Sequence, residues 1–192
     1  IEVIDIKNIT LFCQDWGGLI GLRLAAKYED RFEKIITANT GLPTGKAQLS
    51  DAFGVFREFL QIKPDLHVGG QVRNGTTKGI DDEALAAYNA PFPDEDHKQG
   101  VRQFPNLVPA TLRTPSAEPN KEAWNVLRQW EKPFLCAFSD KDPIFAGVEN
   151  SFFKLVPGCK DMPHVTIENA GHFLQEDQPE ACVDAILSIK DL

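Results

Sequence analysis

Near the amino end of the chain, Cys13-Gln14-Asp15-Trp16-Gly17 sets a carboxylate between small residues two positions away on either side. Small flanking residues let a sharp strand-to-helix turn hold its central side chain in the open, and here that side chain is Asp15. A helix amino terminus favours negative charge through its dipole and free N–H groups, so Asp15 is expected to be ionised and nucleophilic at neutral pH. The plain alternative is that Asp15 only caps the helix that follows it. Two later segments favour chemistry. Ser139-Asp140-Lys141-Asp142-Pro143 follows an apolar run at 134–138, and Gly171-His172-Phe173 follows another at 165–167. In chain order these supply nucleophile, acid and histidine, each at the carboxyl end of a strand, where open parallel sheets place their ligands. Asp142 is preferred to Asp140 because Pro143 and Ile144 continue it, while Asp140 suits a loop cap. Asn39 closes an earlier run but carries no carboxylate. His67, His97 and His164 read as satisfied core histidines, and Trp124 and Trp130 as packing residues.

The elements that must position these groups follow from the apolar pattern. Ile9–Cys13 is an almost continuous apolar run, as in a strand buried on both faces. From Leu19 to Tyr28 apolar residues fall at helical spacing, and Ile35–Ala38 is a second buried strand, so the opening reads β-α-β with parallel strands. The chain itself opens in what reads as the end of a helix. Residues 41–115 change texture, being rich in Pro, Gly and Phe, with helical patterns at 47–62 and 81–90 and no buried strand, and read as a mostly helical insertion. The α/β texture resumes with an amphipathic stretch at 119–131, strands at 134–138 and 165–167, and a final helix at 178–190.

Composition narrows the function class. The 192 residues suit one ordinary domain or part of a larger one, and 42% hydrophobic with 25% charged residues is a globular balance. A net charge of −8 disfavours binding to nucleic acid or anionic lipid, and no apolar run is long enough to cross a bilayer. Cys13, Cys136, Cys159 and Cys182 form no CxxC pair, which suggests reduced thiols, a cytoplasmic setting and no metal site.

The chain resembles the haloalkane dehalogenases of the α/β-hydrolase superfamily, whose triad has this order. The resemblance rests on Cys13-Gln-Asp-Trp-Gly-Gly-Leu-Ile-Gly21, Ala38-Asn-Thr-Gly-Leu-Pro43, Ala87-Tyr-Asn-Ala-Pro-Phe-Pro-Asp94 and Ala170-Gly-His-Phe-Leu-Gln-Glu176. Related epoxide hydrolases usually carry His where this chain has Gln14. The resemblance implies an α/β-hydrolase core at 1–40 and 116–192 and a helical cap at 41–115. It also implies a hydrolase of carbon–halide bonds that acts on small apolar halogenated substrates with water and needs no cofactor. Asp15 would form an alkyl ester, the Trp16 indole would bind halide, and His172, oriented by Asp142, would activate water. Phe53, Phe56, Phe59, Phe92 and Phe104 could line the pocket. The family's second halide donor is either a cap Trp, which 41–115 lacks, with Phe56 the candidate for its position, or an Asn nearer the amino terminus. The fold also requires earlier strands, so the chain reads as a carboxyl-terminal part, expected to be poorly stable or inactive alone. Two other readings stand beside this one: an epoxide hydrolase, for which Tyr88 is the single phenol in 41–115, and a non-catalytic relative of the same fold. Oligomeric state is left open.

Overall fold

The computed structural model describes residues 1–46 and 48–192. Four parallel strands, β1 (Ile9–Gln14), β2 (Phe32–Ala38), β3 (Phe134–Ser139) and β4 (Val165–Ile167), lie side by side in sequence order. Register aligns Leu11 with Ile35, Ile35 with Phe134, and Ala137 with Val165. The alternation of side chains along a strand explains the continuous apolar runs. Ile35, Phe134, Cys136 and Phe138 face one layer, while Ile36, Leu135 and Ala137 face the other. The first face is covered by α1 (Trp16–Lys27) through Leu22 and Ala25, α6 (Ala117–Leu127) through Trp124 and Leu127, and α7 (Glu149–Leu155) through Phe152. The second is covered by α8 (Leu174–Asp177) and α9 (Pro179–Leu187) through Leu174, Cys182 and Ala185.

Between β2 and α6 the described residues form helices and no strand, the α-helices being α2 (Asp51–Ile62), α3 (Val68–Asn74), α4 (Asp82–Asn89) and α5 (Gln99–Leu107). Their starts are set by local side-chain caps. Ser50 accepts from the Phe53 N–H, His67 from Gly70 and Asp81 from Ala84, each satisfying an N–H that has no partner in the first turn. The helical pattern at 47–62 thus becomes a helix from Asp51, and its expected start at 47 lies outside the described residues. Residues 1–8, expected to finish a helix, instead fold into turns. Asp5 and Asn8 take left-handed φ angles of 44° and 55° that break a helix, and Arg31 holds the turn through Asp5 Oδ1 at 2.7 Å and the Ile6 carbonyl at 3.0 Å.

The turn from β1 into α1 depends on a close approach at Gly18. A Cβ there would come within 2.6 Å of Thr40 Cβ, and Thr40 is fully buried with its hydroxyl donated to the Asp15 carbonyl at 2.7 Å. Gly17, the small residue of the sequence pattern, has ordinary room, its nearest neighbour being Cys13 Cβ at 3.8 Å. Gly18→Ala should therefore cost about 1–3 kcal/mol, as overpacking of a tight site does. Gly17→Ala should stay within about 0.5 kcal/mol, as a substitution with room does. Thermal unfolding of the two variants side by side checks this, and equal midpoints would refute it.

Candidate active site

The carboxyl ends of the four strands carry Asp15, Asn39, Asp142 and His172 or the loops that lead to them. Asp15 sits at φ 47° and ψ −120°, a conformation non-glycine residues rarely adopt, and its carboxylate makes no cap hydrogen bond to α1. The capping alternative is therefore not what the turn does. The backbone holds the strain instead: the Asp15 N–H donates to the Asn39 carbonyl at 3.0 Å, the Gly18 N–H donates to the Asp15 carbonyl at 3.0 Å, and Thr40 donates to that same carbonyl.

The structure brings three of the predicted residues into one line. Asp142 Oδ2 lies 2.8 Å from His172 Nδ1, and His172 Nε2 lies 3.5 Å from Asp15 Oδ1. The other Asp142 oxygen accepts the Ile144 N–H at 2.8 Å, so both oxygens of this buried carboxylate are used. Exposure rises along the line, with side chains 1% exposed at Asp142, 14% at His172 and 36% at Asp15. Burial opposes a charged His172, but the Asp142 hydrogen bond and the charges of Asp15 and Asp142 outweigh it and hold the imidazole above its ordinary pKa. Burial raises the Asp15 carboxyl above the usual range, against the pull of His172 and the Trp16 N–H. The helix-end argument alone, which made Asp15 simply acidic, omitted that desolvation. Asp140 lies apart from the line, accepting the Ala170 N–H at 3.2 Å and pairing with Lys141 at 3.0 Å.

Trp16 begins α1 beside Asp15, and both face a cavity of about 750 Å³. Its walls include Leu19, Phe53, Ile144 and Phe145, together with Lys121 and Arg128 of the α6 region. Phe104 meets the Trp16 ring edge-on at 4.8 Å, whereas Phe56, Phe59 and Phe92 do not line the cavity. Trp124 and Trp130 are buried, as expected of packing residues, with Trp124 donating to the Leu42 carbonyl at 2.7 Å. Two of the other histidines are not core residues. His67 is an exposed cap and His97 an exposed partner of Asp94, because each follows a loop rather than a strand, while part-buried His164 bridges the Cys136 N–H and the Cys159 carbonyl. Among the described residues no group of three or more His, Cys, Asp or Glu could hold a metal ion, and no helix is long and apolar enough to cross a membrane.

Two residues beside the line were named in the sequence analysis but given no part in holding His172. Gln14 Nε2 donates to the His172 carbonyl at 3.0 Å and lies 3.4 Å from His172 Nε2. Fully buried Asn39 reaches the carbonyls of Gly171 and His172 and the Ser139 hydroxyl through Nδ2, and accepts the Ser139 N–H through Oδ1. Their only sequence signal was a place at a strand's carboxyl end.

Known proteins share this arrangement of chain. A haloalkane dehalogenase of Psychrobacter cryohalolentis is 51% identical over 180 residues, covering 94% of this chain and 59% of that protein. Another, from Mycolicibacterium paratuberculosis, is 41% identical over 97% of this chain and 62% of its own length, so the chain spans about three fifths of the relatives it matches. The solved structure of a tetrameric haloalkane dehalogenase from Paraglaciecola agarilytica NO2 superposes with a TM-score of 0.89 at 31% identity, covering all of this chain and 64% of that one. The model of the alpha/beta hydrolase fold family matches residues 2–179, and with the parallel sheet and its flanking helices this places the chain in the alpha/beta hydrolase fold family.

Proposed function

We propose that the protein hydrolyses haloalkanes to alcohol and halide through an ester on Asp15. The observation that carries this reading is the line Asp142–His172–Asp15 with Trp16 beside it at a largely apolar cavity wall. A carboxylate suits displacement at saturated carbon, because the resulting ester keeps a carbonyl that water can attack, whereas a serine ether would be a dead end. In the first step Asp15 bonds to the carbon as the carbon–halogen pair leaves with halide, and the Trp16 indole N–H donates to the halide as charge develops. In the second, His172 takes a proton from water, whose oxygen attacks the Asp15 carbonyl carbon. The alcohol departs protonated, the carboxylate is restored, and one proton goes to solvent. Residues 41–115 act as a helical cap on a core formed by 1–40 and 116–192, no cofactor takes part, and the four buried free cysteines suit a cytoplasmic setting. Names of the similar proteins support the dehalogenase reading. Epoxide opening is less well supported, since the Tyr88 hydroxyl is donated to Glu176 at 2.5 Å.

Halide release from 1-bromobutane by the full-length gene product should disappear with Asp15→Asn and fall about 100- to 1,000-fold with Trp16→Phe, since one donor to developing charge is lost. Styrene-oxide opening without halide release would move the assignment to epoxide hydrolysis, and activity on neither would overturn both.

The pH dependence has a definite sign. His172 must be neutral to accept a proton, so turnover should rise with pH through its pKa. In the free enzyme the charges of Asp142 and Asp15 hold that pKa up. Once Asp15 is an ester its charge is gone, so the acid limb of kcat should lie below the His172 pKa read by histidine NMR in the free enzyme. Asp142→Asn should lower the NMR value as well. Coincident values, or an unmoved titration in Asp142→Asn, would refute this electrostatic account.

A further inference from the structure

A buried carboxylate helps to fasten the loop that carries His172 to the helical segment. Asp177 ends α8, and its residue is only 2% exposed. From the helical segment it accepts the Thr77 N–H at 2.9 Å and the Lys78 N–H at 3.1 Å; from the histidine loop it accepts the Gly171 N–H at 2.8 Å. The Thr77 hydroxyl lies 3.0 Å from Asp177 Oδ1 and 2.7 Å from the Asn169 carbonyl, one hydrogen between two acceptors. Lys78 Nζ donates to the Asp177 main-chain carbonyl at 2.6 Å. Burial of a carboxylate is opposed by desolvation, but these N–H groups outweigh it and hold Asp177 below the usual carboxylate range.

Backbone packing tightens the same join. The Phe173 N–H donates to the Gly75 carbonyl at 3.3 Å, a Cβ on Gly171 would collide with that carbonyl oxygen, and a Cβ on Gly75 would come within 2.7 Å of the Phe173 ring. Residues 75–78 and 169–177 thus meet backbone to backbone, with His172 between Gly171 and Phe173. Nothing in the chemistry of the triad requires Asp177. Its partners lie on both sides of the join, and one of them is the residue before the histidine.

We propose that Asp177 is a positioning residue for His172: by binding Thr77 and Lys78 on one side and Gly171 on the other, it holds the imidazole in line between Asp142 and Asp15. This rests on the dehalogenase reading above. The Asp15 turn is held by the Asn39 carbonyl, the Gly18 N–H and the Thr40 hydroxyl, none of which bonds to Asp177 or Thr77, so loosening the clamp should spare ester formation and slow only ester hydrolysis. Displacement of a catalytic group by about 1 Å can cost about 100-fold.

The test uses the full-length gene product with 1-bromobutane, following the first halide turnover by rapid mixing, steady-state release, and the mass of protein carrying an alkyl group on Asp15. Asp177→Asn sets an amide NH₂ against N–H donors. It should leave the first turnover within about 3-fold, slow steady-state release by about 10- to 100-fold, and raise the alkylated fraction. Thr77→Val removes only the hydroxyl and should show the same pattern more weakly, with Thr77→Ser restoring wild-type behaviour; this series decides the matter if Asp177→Asn does not fold. First turnover and steady state falling together would mean a merely structural role and would overturn the proposal, as would steady-state rates unchanged in both variants. Absence of halide release from the wild-type protein would remove the dehalogenase reading and this proposal with it. Release that depends on Asp15 but not on Asp177 or Thr77 would remove this proposal alone.

Discussion

Parallel register is the constraint on which the site depends. Every group in it hangs from the carboxyl end of a strand, and those ends form a row only because Gln14 pairs with Ala38, Thr37 with Cys136, and Ser139 with Ile167. A slip of one residue would turn each strand's side chains to the opposite face. Here both faces are buried, so Ile35 and Ile36 would exchange layers that are shaped for them, and the slip is doubly penalised. The same packing that buries the sheet therefore fixes the distance from Asp142 to His172 and from His172 to Asp15.

Loops turn that row into chemistry by holding the two ends of the line differently. At the dry end, Asp142 has one oxygen on His172 and the other on the Ile144 N–H, so it can neither turn nor take another partner without leaving a buried acceptor empty. At the open end, Asp15 keeps its side chain free because the backbone alone carries the turn. Its strained φ is stabilised through Asn39, Gly18 and Thr40 rather than through its carboxylate. His172 lies between them, its ring bonded to Asp142 and its main-chain carbonyl accepting from Gln14 and Asn39.

Much of this was legible in the residues, and the part that was not has a physical reason. The four strands, α1, α6 and α9 appear as apolar runs or helical spacing because they pack on a core, α2 and α4 appear as helical spacing in the segment between, and the three members of the line appear because each follows an apolar run. Helix α3 was hidden by Gly69 and Gly70, poor helix formers, and by an unusual histidine cap; α5 was hidden by Pro105 inside it. Gln14, Asn39 and Asp177 could not be read because their roles are chiefly hydrogen bonds to backbone groups far along the chain, such as Asn39 to the Ser139 N–H and Asp177 to the Thr77 N–H. Such bonds leave no local pattern. Gly18 is a middle case: a small residue was expected beside the turn, but only the burial of Thr40 shows which of two adjacent glycines has no room.

The two halves of the proposed cycle place opposite demands on His172, and the structure meets both with one arrangement. Before reaction, Asp15 must be a carboxylate in a partly desolvated site; burial raises its pKa, and the His172 imidazole beside it pulls the other way. After reaction, the same imidazole must be neutral to draw a proton from water. Ester formation removes the Asp15 charge that helped keep the proton on, so the first step itself prepares the base for the second. Asp142 cannot supply this change, because its partners are the same in both steps. In that cycle the 3.5 Å between Asp15 and His172, close enough for the charge of one to influence the protonation of the other, is a requirement of the sequence of events rather than a looseness of the site.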